Sequence, residues 1–510
     1  MATRHSGSTS VWMATATMPR YSRLESVIDT EVCVIGGGIA GLTTAYMLLR
    51  AGKRVVLLEA DELGGGETGF TTAHFFPPDN RYYRIEKAFG ADGAKVVADS
   101  FAQATDAVES IVAAEDIDCS FRRLDGYLFS LTDSGRAELC KESEAAQRAG
   151  VDTLDESRVP GLSFDTGHCV RFPNLAQFHP LRYLAGLAQA VVRRGGRIYT
   201  QTRALDVAAH HHLEIVKTSA GEVRADAVVI ATNTPFNDRV VMHTKQNGYR
   251  TYVLGLRVPR DSVPTILLWD NGDPYYYVRV ARPDPAADHD LLIVGGGDHK
   301  VGQDEHPEPR YARIEAWVRE RFPMAGAVDY RWSGEVMETV DGVAYLGRNP
   351  LDDGNIYVIT GDSGNGMTHC TAGAMLVTDL ILGRDNPWNW LYEPARKPTH
   401  GLGEFVREQA NSLAHYRDWL KRGDADSFEV IPPGEGAIVR DGNHMLAVSR
   451  DDGGALHVLS AACTHLVCVV SWNSAERSWD CPCHGSRFDA DGKVLHGPAA
   501  KPLEPAPTKP

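Results

Sequence analysis

The segment Thr30–Glu59 constrains this chain more than any other. Val32-Cys33-Val34-Ile35 is a short apolar run suited to a buried parallel strand. Gly36-Gly37-Gly38 turns the chain, and Leu42, Ala45, Tyr46 and Leu49 then recur at helical spacing as far as Ala51. Gly52 ends that helix, and Val55-Val56-Leu57-Leu58 reads as a second strand. Such a βαβ unit commits the region to an α/β layer with a parallel sheet. Gly36-x-Gly38-x-x-Gly41 falls at the strand-to-helix turn, and Glu59 stands 18 residues past Gly41. Gly36 makes the tight turn, Gly38 lets backbone approach a pyrophosphate, and Gly41 lets helix and strand pack closely. The helix start at Ile39 and Ala40 offers unpaired N–H groups to phosphate, and Glu59-Ala60 brings a carboxylate to ribose hydroxyls. The segment predicts a dinucleotide site rather than a glycine turn without a ligand.

The chain has 510 residues, enough for about three domains. Leu184–Arg194 reads as a helix and Arg197–Thr200 as a strand, and Leu213–Thr218 with Val223–Val229 reads as an antiparallel ribbon turned at Ala220-Gly221. Tyr249–Val301 is rich in β-branched and aromatic residues and suits an antiparallel sheet. Asn355–Ile359, Gly361–Gly366 and Met367–Leu382 read as strand, glycine turn and helix. Pro387–Gly401 is a connector, followed by an amphipathic helix over Phe405–Leu420 with Phe405, Leu413, Tyr416 and Leu420 on one face. From Ser427 only short strands and turns remain, which indicates a small all-β domain with a frayed tail at Lys501–Pro510. The expected division is a flexible segment 1–28, an oxidoreductase unit 29–390, a linker 391–426 and the all-β domain 427–507. Within 29–390, about 29–105, 175–240 and 325–390 form the nucleotide part, and about 106–174 and 241–324 form a substrate part.

The C-terminal domain carries Cys463-Thr464-His465, Cys468, and Cys481-Pro482-Cys483-His484. Zinc and an iron–sulfur cluster compete for such a set. Zinc fingers pair ligands as C-x₂₋₄-C and H-x₃₋₅-H. Here the pairs are C-x-H and C-x-x-H, the pattern of a Rieske [2Fe–2S] centre with two Cys on one iron and two His on the other. With Trp479 before the second loop and Gly497-Pro498-Ala499 after it, residues 427–505 resemble the cytochrome bc-type Rieske family. The resemblance assigns Cys463 and Cys481 to the inner iron and His465 and His484 to the outer, and pairs Cys468 with Cys483 in a disulfide. It places the Ser486 hydroxyl on a cluster sulfide. Phe488 stands where high-potential members carry a tyrosine that bonds a ligand cysteine.

Residues 30–385 resemble the glycine/D-amino-acid oxidase family of FAD-dependent oxidoreductases. The resemblance rests on the glycine fingerprint, on Val228–Asn233, and on Gly361-Asp362-Ser363-Gly364-Asn365-Gly366-Met367-Thr368. It implies a Rossmann-like α/β FAD-binding domain, an antiparallel-sheet substrate domain and bound FAD. Ala231, Thr232 and the Gly361–Thr368 segment then face the cofactor, with the helix start at Gly364, Asn365, Gly366, Met367 and Thr368 toward the flavin C2 carbonyl. Ala204 contacts adenine, and Thr72 and His74 lie near the ring, His74 packing behind it rather than carrying it covalently. Tyr249, Arg250, Tyr252, Tyr276 and His299 fall in the substrate part, where one or two should line a pocket. Arg250 and Arg279 are the two choices for a carboxylate clamp. Leu292–His299 lacks the third glycine and following helix of a second dinucleotide loop and reads as a strand end. His210-His211-His212 reads as a solvated turn.

The net charge of −15 and pI near 5.7 argue against nucleic-acid binding. No run approaches the length of a membrane-spanning helix, and residues 1–28 lack the apolar core of a cleavable signal. Cys33, Cys119, Cys140, Cys169 and Cys370 are scattered, which suits a reducing cytoplasm. The expected activity is a dehydrogenase that oxidises an amine or amino acid at a C–N bond and passes electrons singly from FAD to the cluster and on to an acceptor such as a protein, as a two-to-one electron converter. The competing readings are an O₂-using oxidase with a modulatory cluster, and a redox sensor or electron carrier. Phe488 cannot donate to a ligand sulfur, so the cluster potential should lie below those of high-potential members, within about −150 to +300 mV. Phe488→Tyr should raise it by about 20–60 mV, the differential share of one charge-assisted hydrogen bond. Film voltammetry reads this directly, and a potential that stays put with the cluster intact refutes the loop alignment.

Overall fold

The strand Val27–Ile35 pairs in parallel with Glu222–Ile230 on one side and with Val55–Leu58 on the other. In this computed structural model the described residues are 8–78, 81–210, 212–237, 242–282, 284, 286–304, 307–350, 352, 354–397 and 402–506. The first sheet runs Tyr345–Arg348, Ile356–Thr360, Glu222–Ile230, Val27–Ile35, Val55–Leu58 and Arg197–Tyr199 in spatial order. Val55–Leu58 is buried at every position, as a strand covered on both faces must be. The helices Ile39–Arg50 and Gly366–Ile381 pack against each other beside this sheet. The ribbon Leu213–Thr218 pairs antiparallel with Glu222–Ile230.

A second sheet orders Val328–Thr339, Gln246–Pro259, His289–Lys300, Tyr276–Ala281, Leu267–Asp270, Arg122–Phe129, Cys169–Gln177 and His74–Phe75. Its pairings are antiparallel except between Leu267–Asp270 and Arg122–Phe129. Val328–Thr339 corrects the assignment of 325–390 to the nucleotide part. It runs alongside Gln246–Pro259 from Gln246↔Thr339 to Leu256↔Val328. A strand's own alternation carries no mark of which sheet will receive it, because pairing partners are set by long-range contacts. The C-terminal domain holds one sheet of Gly436–Asp441, His444–Arg450 and Leu456–Ser460, and another of Ser471–Asn473, Ser478–Asp480, Arg487–Asp489 and Val494–His496. Among the described residues no helix is long and apolar enough to cross a membrane.

Three local expectations need correction. Residues 8–28 are not a loose segment: Val11–Thr15 is a short helix with Trp12 buried. The Trp12 indole donates to the Thr71 carbonyl at 2.6 Å, and the Ser10 hydroxyl donates to that of Gly69 at 2.6 Å. Val11, Trp12 and Leu24 anchor this segment, too few for any periodicity to show. The linker helix is Leu402–His415, and the following turn leaves Leu420 87% exposed. Glu408 and Ser412 face inward instead, paired with Lys300 and with the Cys483 carbonyl, while the side chains of Phe405 and Leu413 lie outside the described set. The tail is ordered through 506, with Leu503 buried and Pro505 bridged to Leu459.

The C-terminal domain is fastened to the second sheet by a buried ion array. Arg250, on the strand Gln246–Pro259, donates to Glu476 Oε1 at 2.5 Å. The other Glu476 oxygen takes Arg487, which also donates to Asp480 at 2.9 Å. All four side chains are at most 2% exposed. Removing one partner of a buried pair leaves the others desolvated and unmatched. Glu476→Ala should therefore cost about 3–5 kcal/mol in denaturant titration. Arg477→Ala, which breaks an exposed pair with Asp452, should cost at most about 1 kcal/mol. Equal losses in the two variants would show the array contributes no more than a surface pair.

Candidate functional site

The glycine turn is built as a backbone cradle. A Cβ on Gly36, at φ +114°, would meet the Ala231 carbonyl oxygen at 2.3 Å, and one on Gly41 would meet that of Gly36 at 1.9 Å. The helix Ile39–Arg50 begins with no side-chain cap, and the Ile39 N–H donates to Thr68 Oγ1 at 3.1 Å. Glu59 accepts from the Gly37 N–H at 2.7 Å and from the Asp61 N–H at 2.9 Å.

One cavity gathers most of the expected cofactor residues. Gly36, Gly38, Ile39, Ala40, Glu59, Ala60, Thr72, Ala204, Ala231, Thr232, Gly364, Gly366 and Met367 line it. The remaining four stand behind it. Gly41 presses on Gly36, Gly361 on Thr339, Asn365 precedes the helix Gly366–Ile381, and Thr368 donates to the Asn365 carbonyl at 3.0 Å. Gly364, at φ +81°, has open space where a side chain would be. Burial lifts the Asp362 carboxyl beside this turn to about 7, with Glu338 adding to the rise.

Of the expected substrate-site residues the cavity takes His74 but none of Tyr249, Arg250, Tyr252, Tyr276 and His299. Its Nδ1 lies 2.9 Å from Thr72 Oγ1, and its ring stacks on Phe76 at 4.3 Å. Burial, aided by the Arg279 charge, holds the imidazole well below its ordinary pKa. Tyr276 is turned away, stacked on Trp317 at 4.7 Å. Tyr275 and Tyr277 take the cavity face, with Tyr277 2.8 Å from Thr251 Oγ1 and Tyr275 donating to Asp298 at 2.6 Å. Sequence reasoning missed both, although they share a strand face opposite to Tyr276. A Cβ on Gly295 would strike the Tyr277 ring at 2.3 Å, so the glycines of 292–299 make room for this wall rather than for a nucleotide.

The other expected residues are engaged elsewhere. His299 stacks on Tyr252 at 5.6 Å, and the Lys300 ammonium lies over Tyr249 at 5.9 Å. Arg250 is spent on Glu476. Arg279 is buried and donates to the carbonyls of Thr72, Ala73 and Phe178. Neither expected clamp presents its guanidinium to the cavity. His210 is exposed at a strand end, and His211 lies outside the described residues.

Beside the cavity sits the Cys/His centre. Cys463 and Cys481 are buried, and the rings of His465 and His484 stand edge to face at 5.1 Å. Cys468 and Cys483 are disulfide-bonded. His484 Nδ1 is buried without a hydrogen-bond partner, as suits an atom meant for a metal. Ser486 Oγ accepts from the Ala499 N–H at 3.0 Å, and its own hydroxyl is turned to Cys463. Phe488 is fully buried, across from Trp479. His243, which no motif announced, packs its ring against both His465, at 4.7 Å, and His484, at 6.1 Å.

Residues 31–380 match the FAD dependent oxidoreductase (DAO) family, and residues 419–507 match the Rieske [2Fe-2S] domain. The chain belongs to the FAD dependent oxidoreductase family. It is 31% identical over 499 residues to the Rieske 2Fe-2S iron-sulfur protein YhfW of Bacillus subtilis (strain 168), spanning 97% of this chain and 96% of that one. It is 28% identical over 380 residues to gamma-glutamylputrescine oxidoreductase of Escherichia coli (strain K12), 71% of this chain and 86% of that one. The fold superposes on glycine oxidase from Geobacillus kaustophilus with a TM-score of 0.61 at 19% identity, covering 72% of this chain and 99% of that one. The protein is therefore an FAD-dependent oxidoreductase with a Rieske domain, and its cofactors are FAD and a [2Fe–2S] cluster. The cradle at Gly36–Gly41 fits a pyrophosphate, and the two Cys and two His of the second centre fit the cluster's ligand set. Gly41→Ala should empty the FAD site, because the added methyl meets backbone that cannot yield. Flavin absorbance per chain should fall at least about tenfold, with iron per chain at the wild-type level. Full flavin occupancy in that variant would contradict the cradle.

Proposed function

We propose that this protein is a dehydrogenase that oxidises a small amine or amino acid at a C–N bond and sends the electrons singly through the Rieske cluster to an external acceptor. One observation carries the reading: Rieske-domain residues His496, Gly497, Ala499 and Ala500 line the same cavity as the nucleotide cradle. A cluster built only to modulate or to sense has no need to share a wall with the flavin site. The similarity to gamma-glutamylputrescine oxidoreductase supports an amine nitrogen at the oxidised carbon.

The balance is simple. A CH–NH group gives up two electrons and two protons and becomes an imine, which water hydrolyses to a carbonyl and a free amine or ammonia. FAD supplies the two-electron acceptor, and the cluster changes by one electron at a time. The chain's own residues supply a dry, shaped wall. Tyr277 and Thr251 are bonded to each other, and His74, kept neutral by burial, offers a hydrogen bond without a charge.

The test is an anaerobic screen of amines and amino acids. A substrate should bleach the flavin, and a Rieske-type EPR signal should then grow in. With a one-electron acceptor present, two acceptor molecules should be reduced per substrate. Hydrogen peroxide formed stoichiometrically in air, with the cluster silent, would overturn the proposal in favour of an oxidase. The absence of bleaching by any amine would overturn it in favour of a sensor or carrier.

A further inference from the structure

We propose that the Rieske domain supplies part of the FAD-binding site, so that FAD is clasped between two domains and Leu495–Ala500 closes the cavity over it. The inference needs no substrate or electron path, only the FAD that the family binds. Sequence reasoning treats the two domains as separable, and the geometry does not. The strand Val494–His496 ends at the cavity, and Leu495, His496, Gly497, Ala499 and Ala500 line it.

Arg203, Asn233, Glu67 and Glu335, which tie this stretch to the oxidoreductase unit, all face the cavity. Arg203, next to the expected adenine contact Ala204, donates to the Val494 carbonyl at 3.2 Å and pairs with Asp61 at 3.3 Å. The Asn233 amide lies 3.1 Å from His496 Nε2. His496 Nδ1 lies 3.1 Å from Glu335 Oε1, and its Nε2 lies 4.0 Å from Glu67 Oε1.

The chemistry explains why a histidine is needed there. Glu67 adjoins Thr68, whose hydroxyl oxygen holds the Ile39 N–H at the phosphate end of the cavity. A bare carboxylate at that place repels a pyrophosphate, which carries two negative charges. His496 stands against Glu67 and Glu335. Burial pushes its pKa down, but the two carboxylates outweigh burial and the nearby Arg487, and the net direction is upward. The Rieske domain thus sets an imidazole against the acidic corner that faces FAD. By linkage, FAD then strengthens the domain contact by the factor by which the contact strengthens FAD binding.

The test uses the full chain. FAD affinity is measured by flavin fluorescence on titrating flavin-stripped protein, with iron content and Rieske EPR recorded on the same samples. His496→Ala should weaken FAD binding about tenfold or more with the cluster intact. Ala500→Glu, which sets a new carboxylate on the roof and leaves the Glu67–His496–Glu335 contacts alone, should weaken it as well. Hydrogen exchange at 495–500 in wild type should slow when FAD is added. If His496→Ala loses its cluster, Ala500→Glu and the exchange result decide. FAD affinities within about twofold of wild type in the variants that keep the cluster, or exchange at 495–500 indifferent to FAD, would overturn the proposal.

Discussion

A single buried carboxylate, Glu476, decides how the two halves of this protein sit together. It is shared between Arg250 of the substrate sheet and Arg487 of the Rieske domain, and none of the three has water to fall back on. Apolar surfaces in contact can slide at little cost, but desolvated charges with directed hydrogen bonds cannot. Backbone meets backbone at the same seam. A Cβ on Gly302 would reach the Pro482 nitrogen at 2.6 Å, and Gly248 lies against Gly485 in the second ligand loop. Such contact requires the absence of side chains, and it sets the Cys/His loops directly on the sheet of Gln246–Pro259.

The seam places one more residue between the two centres. Glu335 lines the flavin cavity, meets His496, and lies within 3.0 Å of where a Gly485 side chain would begin. Its neighbour Gly334 follows Ser333, which takes a hydrogen bond from Arg250. The strand Val328–Thr339 therefore carries cavity wall, ion array and cluster-loop contact within three residues. A displacement of that strand would be felt at both centres.

What the sequence disclosed was whatever lies close together along it. The glycine turn with its flanking strand and helix spans Thr30–Glu59, and the Cys/His set of the Rieske domain falls between Cys463 and His484, so spacing alone pointed to both families. The tyrosine wall of the cavity was not legible, because it depends on which face of a strand turns inward. Tyr276 drew notice and faces Trp317, whereas Tyr275 and Tyr277, one step to either side, face the cavity. Arg250 looked like a carboxylate clamp because its partner Glu476 lies 226 residues away. His243 and His496 carry no local signal; only the docking of one domain on the other gives them a role.

His243 packs against the half-buried rings of His465 and His484, so that this edge of the Cys/His centre meets the oxidoreductase body. A free carrier protein must find its partner anew for each electron, at a frequency set by how much of each is present. Here the meeting is made once, when the chain folds. Any exchange between the two sites is then a first-order event, indifferent to dilution and governed by distance and driving force alone.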